Sequence, residues 1–314
     1  VLAIVAPGQG AQTPGFLAPW LTGPATDTLD GFSQAAGIDL AFYGTQADAE
    51  TIRDTAIAQP LLVAAGLLAA EALTGDAQVP FRGADIAAGH SVGEFTAAAG
   101  VGVLSPLDAL ALVRERALGM AEASALRPTT MAAVLRGDAE AVVAAIEALG
   151  ATAANHNGTG QIVAAGTAEQ IAELKANPPA GSRVVPLSVA GAFHTAHMEP
   201  GRVRLAAAAA TLTASDPAVT LLSNADGTAI AHGAEYLSRL VSQVTSPVRW
   251  DLCMAAMADL GVTGILELPP AGTLTGIAKR NLPGVALFNL NTPDQLDDAR
   301  AFVAEHASTS SQEA

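Results

Sequence analysis

The stretch "ADIAAGHSVGEFTAAAG" (Ala84–Gly100) narrows the folds open to this chain more than any other segment. "ADIAAGH" fits a short buried strand, and the small and apolar residues after it fit a helix starting near Val92. Between the two, Gly89, Ser91 and Gly93 stand in Gly-x-Ser-x-Gly spacing. A strand that turns at once into a helix belongs to a sheet covered by helices, so the expected class is α/β.

The rest of the chain agrees with that class. Its 314 residues leave room for a large domain with a small one. Half of them are hydrophobic and 14% are charged, a globular and not a disordered balance. "VLAIVA" at the start fits a first buried strand. From Thr130 to Val189 the pattern changes. "MAAVLRG" predicts a strand, and "DAEAVVAAIEALG" a helix capped by Asp138 and ended by Gly150. "ATAANHN" and "GQIVAAG" predict strands joined by a glycine turn. "TAEQIAELKAN" predicts a helix started by Thr167, and "SRVVPLSV" a closing strand. The order β-α-β-β-α-β is a ferredoxin-like unit. The expected organisation is a large α/β part, 1–127 and 191–305, with a small subdomain at 128–190 and a frayed polar tail at 306–314. "VTLLSNADG" and "VTGILELPP" are expected as further strands of the large sheet, separated by the helix "PVRWDLCMAAMADLG".

Charge and composition exclude several classes. The net charge of −15 repels nucleic acid and anionic membranes. Apolar runs such as Leu61–Ala70 and Phe95–Leu104 are shorter than the ~18–20 residues of a membrane span, and are expected in the core. The first residues lack the basic region and cleavage site of a signal peptide. A single cysteine, Cys253, fits a reducing compartment, so a cytoplasmic location is expected; a monomer is expected as well.

A serine hydroxyl becomes a nucleophile when a base takes its proton and a turn exposes it. The elbow supplies the turn, and the following helix aims free N–H groups at a developing oxyanion. Six histidines are available as the base. His90 adjoins Ser91 and is expected to brace the turn. His156 lies in the small subdomain, His232 in a loop and His306 in the polar tail. His194 and His197 share "GAFHTAHM", and position alone does not choose between the candidates. An H-x-x-H pair is half a metal site, but no carboxylate or cysteine arrangement completes one. "PGQGAQ" (Pro7–Gln12) lacks the Lys-Ser/Thr of a phosphate loop and the third glycine of a dinucleotide fingerprint. It remains a tight turn able to lend a backbone N–H to a site. Arg114 and Arg116 stand in the apolar helix "LVRERALGM"; either an anionic ligand or a salt bridge to Glu115 or Glu122 accounts for them.

Together "PGQGAQ", "QPLL", "GHSVGE", "RALGM", "NHNGTGQIVAAG", "GAFH", "QVTSPVRW" and "GTLTGIAKR" closely resemble the bacterial malonyl-CoA:acyl-carrier-protein transacylases. They occur in that family's order and cover nearly the whole chain. The resemblance implies an α/β-hydrolase-like large subdomain with an inserted ferredoxin-like one. It implies Ser91 as the acylated nucleophile and His194 as its base, oriented by the backbone carbonyl of Gln243 in place of an aspartate. The oxyanion hole would be the N–H groups of Val92 and Gln9. Arg116 would bind the malonyl carboxylate, and Gln59 and Asn155 would line the cleft. Phe193 resembles the aromatic residue that narrows the pocket of malonyl-selective members. Gly191 departs from the histidine often found there in polyketide-type relatives, and His197 fills a slot that need not be histidine.

The implied cycle is ping-pong, from malonyl-CoA through malonyl-Ser91 to the phosphopantetheine thiol of an acyl carrier protein. It requires no metal or redox cofactor. The carrier serves fatty acid synthesis, polyketide synthesis or both. An acidic carrier needs a local basic patch on this acidic chain, for which Lys279, Arg280, Arg183 and Arg249 are candidates. The rival class is an esterase or thioesterase of α/β-hydrolase type. It would share the elbow, want an acidic residue to orient a late histidine, and have no need of Arg116.

Overall fold

The computed structural model describes residues 1–308. Its strands are β1 (Leu2–Ala6), β2 (Ile86–Gly89), β3 (Thr129–Arg136), β4 (Thr152–His156), β5 (Gln161–Thr167), β6 (Ser182–Pro186), β7 (Thr220–Leu222), β8 (Ala229–Ile230), β9 (Val248–Arg249), β10 (Gly264–Glu267) and β11 (Ala286–Asn289). They form two sheets. The first has the order β11-β10-β1-β2-β7-β8 and is parallel from β11 to β7. β1, β2 and β10 are buried along their whole length, as expected of strands with helices on both faces.

The second sheet has the order β6-β3-β5-β4-β9. β3, β4, β5 and β6 pair antiparallel, with helices Ala139–Ala148 and Ala168–Ala176 between them in sequence. This is the ferredoxin-like order expected above. Asp138 accepts a hydrogen bond from Ala141 N–H, and Thr167 and Gln170 form a reciprocal capping box. Unforeseen was β9, which comes from beyond the expected 128–190 unit and pairs parallel with β4. Arg249 N–H also donates to the carbonyl of Asn224, so this short strand ties the antiparallel sheet to the end of β7.

Helix Thr55–Thr74 corrects the expectation of short apolar runs. It is 20 residues long and apolar enough to cross a membrane by length and composition, yet most of it is buried in the core. Pro60 sits inside it and carries no N–H for the carbonyl of Ala56. Arg114 donates to that carbonyl instead, which gives it a structural task. Of the two readings left open for Arg114 and Arg116, the salt bridge to Glu115 or Glu122 is not formed, since both acids pair with Arg204.

The tail also differs from expectation. Helix Leu296–His306 carries His306, whose ring packs 4.5 Å from that of Phe302 and whose Nδ1 lies 3.1 Å from Thr263 Oγ1. Ser308 hydrogen-bonds Asp85 through both its N–H and its hydroxyl. Residues 309–314 of the expected frayed tail lie outside the described residues.

Candidate active site

β2 ends at Gly89 and helix Gly93–Gly100 begins within four residues, leaving Ser91 on the turn. The turn admits no side chain at either glycine. A Cβ at Gly89 would lie 2.0 Å from the Gly93 carbonyl carbon, and one at Gly93 would lie 2.2 Å from the Ala6 oxygen. Ser91 itself has φ 54°, a left-handed conformation costly for a residue with a side chain. Asn224, fully buried just past β7, holds it there. Its Oδ1 accepts from Ser91 N–H at 2.8 Å and its Nδ2 donates to the Gly89 carbonyl at 2.7 Å.

His194 also has a positive φ, 61°, and is buried. Its Nε2 lies 2.7 Å from Ser91 Oγ, and its Nδ1 lies 2.9 Å from the carbonyl oxygen of Gln243. That carbonyl only accepts, so Nδ1 carries the proton and Nε2 presents its lone pair to the serine hydroxyl. Burial, with the nearby charge of Arg116, pushes the His194 imidazole down to about 3. It is therefore a neutral base near pH 7. No carboxylate touches it among the described residues, unlike the arrangement expected of the esterase rival.

Arg116 is 1% exposed. Its Nη1 donates to Gln59 Oε1 and its Nη2 to Gln243 Oε1, each at 2.7 Å, and Nη2 also lies 3.2 Å from Ser91 Oγ. Its Nε has no acceptor among the described residues. Burial lowers its pKa to about 10, which leaves it a cation at neutral pH. A buried guanidinium beside a nucleophile, with only amides and a hydroxyl for partners, is a ready site for an anion.

These residues open onto a cavity of about 470 Å³ between the carboxyl ends of β1 and β2 and the face of the antiparallel sheet. Gln9, Gln59, Ser91, Arg116, Asn155 and Phe193 all line it. The backbone N–H groups of Gln9 and Val92 have no acceptor among the described residues. Glu267, fully buried at the end of β10, caps helix Thr273–Asn281 by accepting from the N–H groups of Leu274 and Thr275. This helix forms another wall of the cavity, to which it contributes Arg280. Lys279 is the neighbour of Arg280 on the same helix, while the other two basic candidates lie on the antiparallel sheet. Arg183 on β6 and Arg249 on β9 sit at opposite edges of one sheet, and Arg249 is paired with Asp251. Three strands separate those two edges. His90 is half-buried with Nε2 2.8 Å from Asn157 Oδ1, the bracing role expected of it.

Two residues of this site escaped the sequence reading. Asn224 stood within a stretch taken only as a strand. Glu94 stood inside the "GHSVGE" motif, and its signal was an acid alone in the small, apolar run that follows Ser91. It is buried and accepts from Asn224 N–H, Tyr236 and the Gln243 side chain.

A serine on a strand-to-helix elbow, hydrogen-bonded to a neutral histidine, is the working pair of serine-dependent acyl transfer. The chain belongs to the acyl transferase family, whose domain model matches residues 5–299. Among its relatives is the malonyl CoA-acyl carrier protein transacylase of Mycobacterium tuberculosis H37Rv. It is 50% identical over 300 residues, which are 95% of this chain and 99% of that protein. The Escherichia coli K12 protein of the same name is 32% identical over 94% of this chain and 97% of its own. A crystal structure of the M. tuberculosis protein superposes with a TM-score of 0.91, covering 95% of this chain and 99% of that one. A malonyl-transacylase solved with a type II polyketide acyl-carrier protein superposes at 0.87 with 28% identity, over 96% of this chain and 99% of that one.

Proposed function

We propose that this chain transfers the malonyl group of malonyl-CoA to the phosphopantetheine thiol of an acyl carrier protein, supplying extender units for fatty acid or polyketide synthesis. The observation that carries this reading is Arg116, a buried cation 3.2 Å from Ser91 Oγ with no direct carboxylate partner. An acyl group bearing its own carboxylate fits that place; a neutral acyl group leaves the cation poorly paired.

In the first half-reaction His194 Nε2 takes the Ser91 proton as Oγ attacks the thioester carbonyl. The N–H groups of Val92 and Gln9 receive the oxyanion. As the tetrahedral adduct collapses, the imidazolium returns its proton to the departing sulfur, giving malonyl-serine and the thiol of coenzyme A. The carrier thiol reverses these steps in the second half. Gln243 serves twice, holding the imidazole with its carbonyl and Arg116 with its side chain. Gln59 holds the other guanidinium nitrogen, and Asn155 lines the cleft. Arg280 at the cavity and Lys279 beside it are the basic residues we assign to carrier docking, with Arg183 and Arg249 as outlying contributions. The relatives named for this activity support the reading.

Intact-mass analysis after mixing with malonyl-CoA, then with holo carrier protein, tests it. A malonyl adduct that moves to the carrier is expected. Release of free malonate with no transfer would make the chain a hydrolase.

Phe193 is buried and lines the cavity directly before His194. Its ring limits the space beside the α-carbon of the acyl group. Phe193→Ser is expected to raise the methylmalonyl-to-malonyl ratio of kcat/KM by roughly 10-fold or more, since one methyl is worth ~1–3 kcal/mol in such pockets. An unchanged ratio would place the filter elsewhere.

A further inference from the structure

The Glu94 carboxylate has no hydrogen bond to Ser91 Oγ and Glu94 does not line the cavity, yet it is tied to both Arg116 and the elbow. Its Oε1 accepts from Asn224 N–H at 2.7 Å and from the Tyr236 hydroxyl at 3.2 Å, and its Oε2 accepts from Gln243 Nε2. The same amide turns Oε1 to Arg116 Nη2, and its Nε2 reaches the Ser91 carbonyl at 2.9 Å. Arg116 only donates, so the amide has one workable orientation, oxygen to the guanidinium and nitrogen to the carboxylate. Glu94 is thus the buried counter-charge of Arg116, one amide removed.

With the cavity empty the cluster holds one cation and one anion. A malonyl group on Ser91 brings a second carboxylate to Arg116. Two buried anions around one cation are unfavourable, and the group most easily made neutral takes a proton. Arg116, Tyr236 and Cys253 are the charged and titratable groups that face Glu94, with His194 beyond Arg116. Burial keeps Tyr236 and Cys253 neutral by pushing both up, and keeps His194 neutral by pushing it down. For Glu94, burial outweighs the bonds it accepts and pushes the carboxyl up to about 7. Of this cluster, Glu94 is the group that changes charge near neutral pH.

We propose that Glu94 is a positioning residue which holds Arg116 in the empty pocket and becomes neutral when the malonyl carboxylate arrives, so that forming malonyl-serine takes up a proton. This rests on the function proposed above. The geometry accommodates the proton. Tyr236 OH lies 3.2 Å from Glu94 Oε1 and 3.5 Å from the Leu222 carbonyl oxygen. A proton on Oε1 donates to the tyrosine oxygen, whose own hydrogen turns to Leu222. Asn224 N–H and the Gln243 amide keep their acceptors, so no donor is stranded. Ser91 O–H and the thioester give ester and thiol with no net proton change. The extra proton comes from water and stays on the Glu94 carboxyl. Ionisation of the released thiol has the opposite sign, since it liberates protons.

The test is malonyl loading in a weakly buffered medium containing a pH-indicator dye, from pH 6 to 8, with the adduct counted by intact mass. Net uptake is expected to climb from near zero at pH 6 towards ~1 proton per malonyl-serine at pH 8. Glu94→Gln, compared at equal adduct, takes up none. Should that variant fail to fold or load, the wild-type protein still decides. Its KM for malonyl-CoA in loading is expected to rise up to ~10-fold per pH unit above 7 with kcat little changed, a dependence that a merely structural acid does not produce. Malonyl-serine formed without uptake, together with a pH-independent KM, overturns the proposal. Failure of the wild-type protein to form malonyl-serine overturns the function on which it rests, and this inference with it.

Discussion

Ser91→Ala is expected to form no malonyl adduct, and His194→Ala to load malonyl at least ~10³-fold more slowly than the wild-type protein. The size of both effects follows from how closely the two side chains are joined. Their 2.7 Å hydrogen bond leaves no room for water between them, and both residues are held at positive φ, where side chains rarely sit. Such strain persists because neighbours enforce it: Asn224 at the elbow and the Gln243 carbonyl at the imidazole. A serine without the base keeps its proton near neutral pH, and a base without the serine has nothing to activate. The double variant is therefore expected to load no worse than Ser91→Ala alone, because the two act as one unit. Rapid-quench loading with radiolabelled malonyl-CoA measures all three. An adduct that persists on Ser91→Ala would end the assignment of the nucleophile, and unchanged loading by His194→Ala would end that of the base.

How much of this was legible in the sequence depends on the range of each signal. The elbow is local, since Gly89 and Gly93 are there because nothing larger fits, and their spacing shows it. The small antiparallel unit was legible for the same reason, with the Asp138 and Thr167 caps marking its helix starts. The short strands β8, β9 and β11 were not. β8 and β9 are two residues long and gain their partners only when distant segments meet, so no periodicity announces them. The base could not be chosen among the histidines without the family resemblance, because the Ser91–His194 bond spans 103 residues. Asn224 and Glu94 show the same limit. A buried amide 133 residues from the serine it holds leaves no mark on the sequence beside it. How the basic candidates are spread was hidden for a related reason: Arg183 and Arg249 belong to one sheet but to opposite edges, which strand order alone reveals.

Arg116→Ala is expected to lower malonyl transfer by ~10²-fold or more while leaving acetyl loading of Ser91 unharmed or improved. The asymmetry is what identifies the role. A malonyl carboxylate that enters the pocket loses its water, and losing a buried partner of this kind typically costs roughly 3–5 kcal/mol. The guanidinium is already oriented to replace that water. Gln59 and Gln243 fix its two terminal nitrogens, and the ring of Phe95 lies 5.7 Å below its central carbon. Little side-chain entropy is left to lose on binding. Acetyl-CoA offers no anion, so in the wild-type pocket it leaves the cation without a gain, and removing the cation removes that handicap. Arg116→Lys restores a charge but neither the planar fork nor both amide contacts, and is expected to recover only part of the malonyl rate. Arg114 supplies the contrast. Its bond to the Ala56 carbonyl compensates for the missing N–H of Pro60, so Arg114→Ala should cost about 1 kcal/mol of stability and leave the malonyl-to-acetyl ratio near its wild-type value. Loading kinetics with both thioesters, beside a thermal melt of each variant, separate the two arginines. If Arg116→Ala transfers malonyl normally, or if both acyl groups suffer equally, Arg116 is a structural cation and another group must bind the carboxylate.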